Sequence, residues 1–165
     1  MDTGTQCETV MIDYRNPQQG EDLLALLQAY ACDPMGGGEA LPAHVTDSLL
    51  DSLARFPTAF SFVCYVDGVA AGLINCFMGL STFTGKKLVN IHDVAVLPEF
   101  RGLGISTRLL QSVEAFAREQ GCGKLTLEVL EGNSVAQAAY RNFGFDNYQL
   151  DPATGRAMFW QKPLD

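Results

Sequence analysis

The chain has 165 residues, 47% of them hydrophobic, and 11 Lys and Arg against 19 Asp and Glu give a formal net charge of −8. That length buries roughly 70% of the unfolded surface, enough for one domain over residues 1–165 without staples. The acidic balance argues against a nonspecific nucleic-acid binder, which carries a basic face, and five cysteines without CxxC spacing argue against a disulfide framework or a zinc ribbon.

In chain order, MDTGTQCETV has no basic segment followed by an apolar run, so no secretory signal is read there. Glu8 to Tyr14 alternates as a strand. Asn16-Pro17 then supplies a cap and a first-turn proline for a helix to about Ala31, whose Leu23, Leu26, Leu27 and Tyr30 share one face. Asp33-Pro34-Met35 and three glycines end it in a loop. A short helix from Val45 to Arg55 presents Leu49, Leu50 and Leu53.

Ala59 to Val66 and Val69 to Met78 form a hairpin about Asp67-Gly68, a dipeptide suited to a tight turn. The longest apolar region, Val69 to Leu80, is too short for the ~20 residues of a membrane span. Cys64 and Cys76 lie in these strands and read as core. Leu88 to Leu97 is the next strand, followed by a helix from about Gly102 to Gln120 with Leu109, Leu110, Val113, Phe116 and Ala117 on one side. Lys124 to Leu130 returns as a strand. Asn133 caps a helix with Val135, Ala139 and Phe143 inward, and Phe145–Leu150 with Arg156–Gln161 reads as a closing strand pair that takes Trp160 into the core.

The most informative segment is VNIHDVAVLPEFRGLGIS, Val89 to Ser106. A strand ends at Pro98, and Arg101-Gly102-Leu103-Gly104 leads into a helix. Such a junction holds a diphosphate on unpaired N–H groups at the positive end of the helix dipole, and Arg101 adds a charge-assisted contact. A P-loop is excluded by the missing GxxxxGK string. A dinucleotide fold fits poorly, because Thr107 replaces the third glycine and four residues separate strand from turn. A bare structural corner with a solvated Arg101 remains an alternative on the glycines alone.

DVAVLPEFRGLGIS, the helix after it, Asn133, and AAYRNFGF at Ala138 to Phe145 together resemble the acetyl-coenzyme A site of the GNAT N-acetyltransferase superfamily. That resemblance implies an α/β (α+β) fold with a mixed, mostly antiparallel sheet of about seven strands and about four helices. Arg101, Gly104 and Ser106 stand at the family's glycine-turn positions, with Ser106 in place of Gly or Ala. By the same resemblance Val94, Ala95 and Val96 line the pantetheine arm through backbone groups. Arg101, Gly102, Leu103, Gly104, Ile105 and Ser106, with Thr107 beyond, hold the diphosphate, Asn133 binds near a split between strands, and Tyr140 stands at the thiol end. Residues 33–42 and the loop around Asp151 border the acceptor pocket.

The implied activity is transfer of an acetyl group from acetyl-coenzyme A to a primary amine of a small molecule or peptide, directly within a ternary complex. The alternative is a noncatalytic acyl-coenzyme A binding or sensing module of the same fold. Tyr140, a phenol of ordinary pKa ~10, is the candidate proton donor to a departing thiolate whose thiol lies near ~8.5. The candidate bases are His92, since an unperturbed imidazole has a pKa of ~6.5, close to working pH, and Asp93, either acting directly or through a water; Glu99, past Pro98, ranks third. Neighbours on a strand face opposite ways, so only one of His92 and Asp93 faces the pocket unless a bulge intervenes. His44 reads as solvated or capping.

Asp33, Glu39, Asp47 and Asp51 are candidates for recognising a cationic amine, though each is also an ordinary surface charge. No metal site is expected with two histidines and no ligand-spaced carboxylates. Neither nucleic acid nor membrane is expected as a partner, a homodimer is the default assembly, and the cytoplasm is the expected compartment.

Overall fold

The computed structural model describes residues 5–164; the beginning of the N-terminal segment read for a signal, Met1 to Gly4, lies outside them. The elements are β1 (Cys7–Met11), α1 (Pro17–Cys32), α2 (Ala43–Thr46), α3 (Leu49–Arg55), β2 (Ala59–Val66), β3 (Val69–Leu80), β4 (Lys87–Val96), α4 (Ile105–Glu119), β5 (Lys124–Leu127) and α5 (Ser134–Phe143). The fold is the expected α/β class with a mixed, mostly antiparallel sheet.

Local chemistry sets most of these boundaries. Asn16 accepts from the Gln19 N–H with Pro17 at the first position, and α1 buries Leu23 and Leu26. Asp67 and Gly68 take φ of 48° and 82°, the two left-handed residues that a type I′ hairpin needs between β2 and β3. The expected second helix is two, α2 and α3. The helix expected from Gly102 starts instead at Ile105, because Gly102 and Gly104 have φ of 81° and 73°, a conformation incompatible with a right-handed helix.

The five strands lie in sequence order, β1 to β4 antiparallel and β5 parallel to β4. On one face α4 covers Phe60, Phe62, Cys64, Ile74, Cys76, Val89 and Ile91. On the other, α1 and α3 pack Leu23, Leu26 and Leu53 against Ile12, Val63 and Leu73. Cys64 and Cys76 are fully buried, as expected of core thiols. At Gly72 the sheet and α4 come so close that an added Cβ would stand 2.8 Å from the Ala95 carbonyl oxygen and 2.9 Å from Ile105 Cγ2.

Three expectations at the C-terminal end are corrected. Phe145–Leu150 and Arg156–Gln161 do not form strands among the described residues; one backbone bond, Ala157 N–H to Tyr148 C=O at 3.5 Å, joins them. Among the described residues the sheet therefore has five strands, not seven, because aromatic strand propensity is expressed only against a paired, half-buried surface. Trp160 is accordingly 79% exposed rather than core. On α5, Val135 is 81% exposed rather than inward, while Phe143 packs against the core as expected and Tyr140 joins it.

Candidate functional site

The turn before α4 is built as an open cradle. Pro98–Phe100 form a short 3-10 turn, and Gly102 and Gly104, both at positive φ, carry the chain into α4. None of the N–H groups of residues 102 to 107 finds an acceptor among the described residues, and no atom lies within 4 Å of where a Cβ would stand on Gly102 or Gly104. Unpaired donors at a 15-residue helix's N-terminus suit a diphosphate, so this turn fits the nucleotide end of a coenzyme A. The Arg101 side chain is more than half exposed. It reaches the Val96 carbonyl and the Asp33 carboxylate, each at 3.4 Å, and ties the turn to the end of α1.

Beyond the cradle the sheet opens. β4 pairs with β5 only from Leu88↔Lys124 to Ile91↔Leu127, so residues 92 to 96 of β4 face β5's side without a strand partner. Val94 lines the resulting gap, while Ala95 and Val96 pair with Leu73 and Gly72 on the β3 side. A cavity of about 110 Å³ fills the gap, and Tyr140, Asn133, His92 and Tyr30 contribute to its lining. Asn133 also accepts from the Ala136 N–H at 3.1 Å, capping α5.

Tyr140 is held against Phe145, ring centroids 5.9 Å apart. Burial, with the Tyr30 phenol beside it, pushes its pKa up to about 12. The hydroxyl is thus a neutral donor throughout the ordinary pH range. A phenol at that value is a weaker acid than a thiol near ~8.5, so full transfer of its proton to a free thiolate is uphill by roughly 4–5 kcal/mol. What Tyr140 offers without that cost is a hydrogen bond to developing negative charge.

The question posed by adjacent His92 and Asp93 is settled by a bulge. The register runs Asn75↔Asp93, then Cys76↔Ile91, leaving His92 as the extra residue. Both side chains consequently lie on the α1 face of the sheet. The His92 ring meets Phe77 edge-on, centroids 4.6 Å apart, and is exposed. Asp93 is half-buried and accepts from the Asn75 side-chain amide at 3.0 Å. It does not line the cavity itself, but its charge and that of Asp33, after burial, hold the Tyr30 pKa above the ordinary phenol value.

Other acidic candidates are dispersed. Asp51 pairs with Arg55 on α3, Asp33 caps the turn at Met35 and meets Arg101, and Glu39, Asp47 and Glu99 are exposed. His44 is exposed on α2. Sequence reasoning missed Tyr30 as a site residue, because it completes the apolar stripe of α1; its position one turn before the Asp33-Pro34 stop was the available signal. Asn75 and Ser61 were missed too, as polar interruptions in strands whose partners only register reveals.

Known proteins match this geometry. The Acetyltransferase (GNAT) family matches residues 23–145. The chain belongs to that family. This GNAT chain is 40% identical over 87 residues to the streptothricin acetyltransferase of Streptomyces lavendulae, a match over 53% of the chain and 44% of that protein. It therefore spans less than half of that relative's length. It is 24% identical over 123 residues to the type 1 aminoglycoside N(6')-acetyltransferase of Salmonella typhimurium, 73% of the chain and 79% of the relative.

Among solved structures, an aminoglycoside N-acetyltransferase in complex with CoA superposes with a TM-score of 0.78 at 19% identity, over 99% of both chains. Another, from an uncultured soil sample and bound to sisomicin, gives 0.76 at 16% identity over 96% of this chain and 97% of that one. These likenesses establish a common GNAT fold. The family that the chain belongs to is one of acetyltransferases.

Proposed function

We propose that the chain transfers acetyl from acetyl-coenzyme A to a primary amine of a small cationic molecule, directly and within a ternary complex. The observation that carries this reading is that the unpaired stretch of β4 leads into the open glycine cradle, while Val94 of that stretch and Tyr140 line one cavity. Acetyl-coenzyme A supplies the thioester. Gly102 to Thr107 would hold its diphosphate on backbone amides, Val94 to Val96 its pantetheine arm, and Asn133 the region near the gap.

Relatives named for aminoglycosides and streptothricin support a polyamine-like acceptor over a peptide, and the net charge of −8 favours approach of a cation. Asp93 or His92, directly or through a water, takes the proton that the amine must lose. As the N–C bond forms and the C–S bond breaks, Tyr140 donates a hydrogen bond to the sulfur, and the proton released from nitrogen balances the thiolate. Backbone N–H groups near Val94 and Val96 are the candidate oxyanion donors. Direct transfer accords with a lining to which no cysteine contributes among the described residues.

We assign the working assembly as a homodimer and the compartment as cytoplasmic. The dimer is supported by exposed Met158, Phe159 and Trp160 on one unpaired segment. The compartment is supported by free thiols, two of them in the core. No helix among the described residues is long and apolar enough to cross a membrane.

The deciding experiment measures thiol release from acetyl-coenzyme A over a panel of aminoglycosides, streptothricin, polyamines, amino acids and peptides. Release with at least one cationic small-molecule amine is expected. Tight coenzyme A binding with no release over the whole panel would replace this reading by the noncatalytic sensing module.

A further inference from the structure

On the α1 face of the sheet, among Ile12, Val63, Leu73 and Phe77, a row of polar side chains crosses three strands. Ser61 on β2, Asn75 on β3 and Asp93 on β4 are direct register partners, and Tyr14, just beyond β1, extends the row. The contacts are Tyr14 Oη to Ser61 Oγ at 2.8 Å, Ser61 Oγ to Asn75 Oδ1 at 2.6 Å, and Asn75 Nδ2 to Asp93 Oδ2 at 3.0 Å. Ser61 is fully buried and Asn75 is 5% exposed. Resting on the transferase reading above, we propose that this row fixes the Asp93 carboxylate to receive the ammonium of the acceptor, which makes Asn75 a positioning residue and Asp93 its charged end.

The direction of the row follows from its one charge. An ionised carboxylate only accepts, so the Asn75 amide must turn Nδ2 toward Asp93 and Oδ1 toward Ser61. Ser61 must then donate to Oδ1, which leaves its oxygen to accept from the Tyr14 hydroxyl. All three hydrogen bonds point one way, each polarising the next toward Asp93. Oδ1 of Asp93 has no protein partner among the described residues, so one oxygen is tied and the other is free.

The bulge belongs to the same device. Were His92 not extra, the alternation of β4 would send Asp93 to the α4 face, away from Asn75 and Tyr30. Stability alone does not call for the row: apolar side chains of similar shape at Ser61 and Asn75 would fill the same space and leave only its partly exposed ends, the Tyr14 hydroxyl and the Asp93 carboxylate, to be solvated. Its placement makes sense as orientation of the half-buried carboxylate, whose charge acts on Tyr30 of α1, a residue that lines the cavity.

The test compares the unmodified chain with Asn75→Leu and with Ser61→Ala/Asn75→Leu, using the best amine from the thiol-release panel. Melting temperature is expected to hold or rise in the double variant and coenzyme A affinity to stay within about twofold. KM for the amine should rise about 10- to 100-fold, the span of a lost hydrogen bond to a charged group, with kcat changed much less. A purely structural row predicts the opposite, lowered melting temperature with unchanged KM, and that result would overturn the proposal.

A second readout is independent of turnover. In 15N-labelled protein the Asn75 side-chain amide protons should exchange slowly and shift on Asp93→Ala; resonances indifferent to that change would equally overturn it. If the unmodified protein acetylates nothing on the panel, the transferase reading fails by that result alone, while the amide resonances still decide whether the row holds Asp93.

Discussion

At Tyr140 the decisive quantity is the cost of charge. A buried phenol raised to about 12 stays protonated and can donate, so the role proposed for it is a hydrogen bond to the sulfur in the transition state rather than binding. Tyr140→Phe is expected to lower kcat by roughly tenfold to a thousandfold with coenzyme A affinity unchanged by calorimetry; equal kcat in the two proteins would remove the role.

Gly104 carries a different constraint. With φ of 73° and open space around it, alanine there costs about 1–2 kcal/mol of backbone strain. Glutamate adds a carboxylate to the place assigned to a diphosphate. Gly104→Glu should abolish coenzyme A binding, and intact affinity would contradict the cradle.

Tyr140 and Tyr65 also link stability to pH. Tyr65 is raised to about 12 by burial and by its hydrogen bond to Asp22. In both, the folded chain keeps a proton that the unfolded chain loses near ~10. Their contribution is therefore complete below pH ~10 and is lost as pH rises toward ~12. Denaturant midpoints should fall across that window, and less steeply in Tyr140→Phe.

Among the elements, β4 and α4 together decide the site. β4 supplies the bulge, the unpaired stretch and the strand end, and α4 supplies the amides; their relative position depends on Gly72, where a side chain would collide with the Ala95 carbonyl and with Ile105. Gly72→Val should destabilise the fold by about 1–3 kcal/mol in urea unfolding, the usual cost of overpacking. It should also weaken coenzyme A binding, since Ile105 is the first residue of α4. The Arg101–Asp33 contact, with the arginine more than half exposed, contributes little to stability, but it links the cradle to the start of the acceptor-side segment.

Over the whole molecule, apolar surface is unevenly spent. Both sheet faces are covered, yet Leu150, Met158, Phe159 and Trp160 on the last segment are mostly exposed, and patches of this kind mark association surfaces. Sedimentation is expected to give a dimer. Trp160, the single tryptophan, should fluoresce at shorter wavelength in that dimer than in denaturant, and Phe159→Ser/Trp160→Ser should shift the population to monomer. A monomer at all concentrations, with solvent-exposed Trp160 emission, would remove the assignment.

Much of this architecture was legible in the residues. Asn16-Pro17, Asp67-Gly68 and the leucine stripe of α4 are local signals, set by capping, by left-handed turn geometry and by helical period, and each stands where it was read. The glycine turn was legible for the same reason: positive φ and free helix amides are properties of a few consecutive residues.

The tertiary structure decided what depends on partners. Phe145–Leu150 and Arg156–Gln161 have strand composition but no adjoining edge, so propensity alone left them extended. His92 and Asp93 share a face only because β4 and β3 differ in register by one residue. Ser61 and Asn75 became a row only when three strands aligned, since a cross-strand contact is a relation between segments distant in sequence and no single segment encodes it.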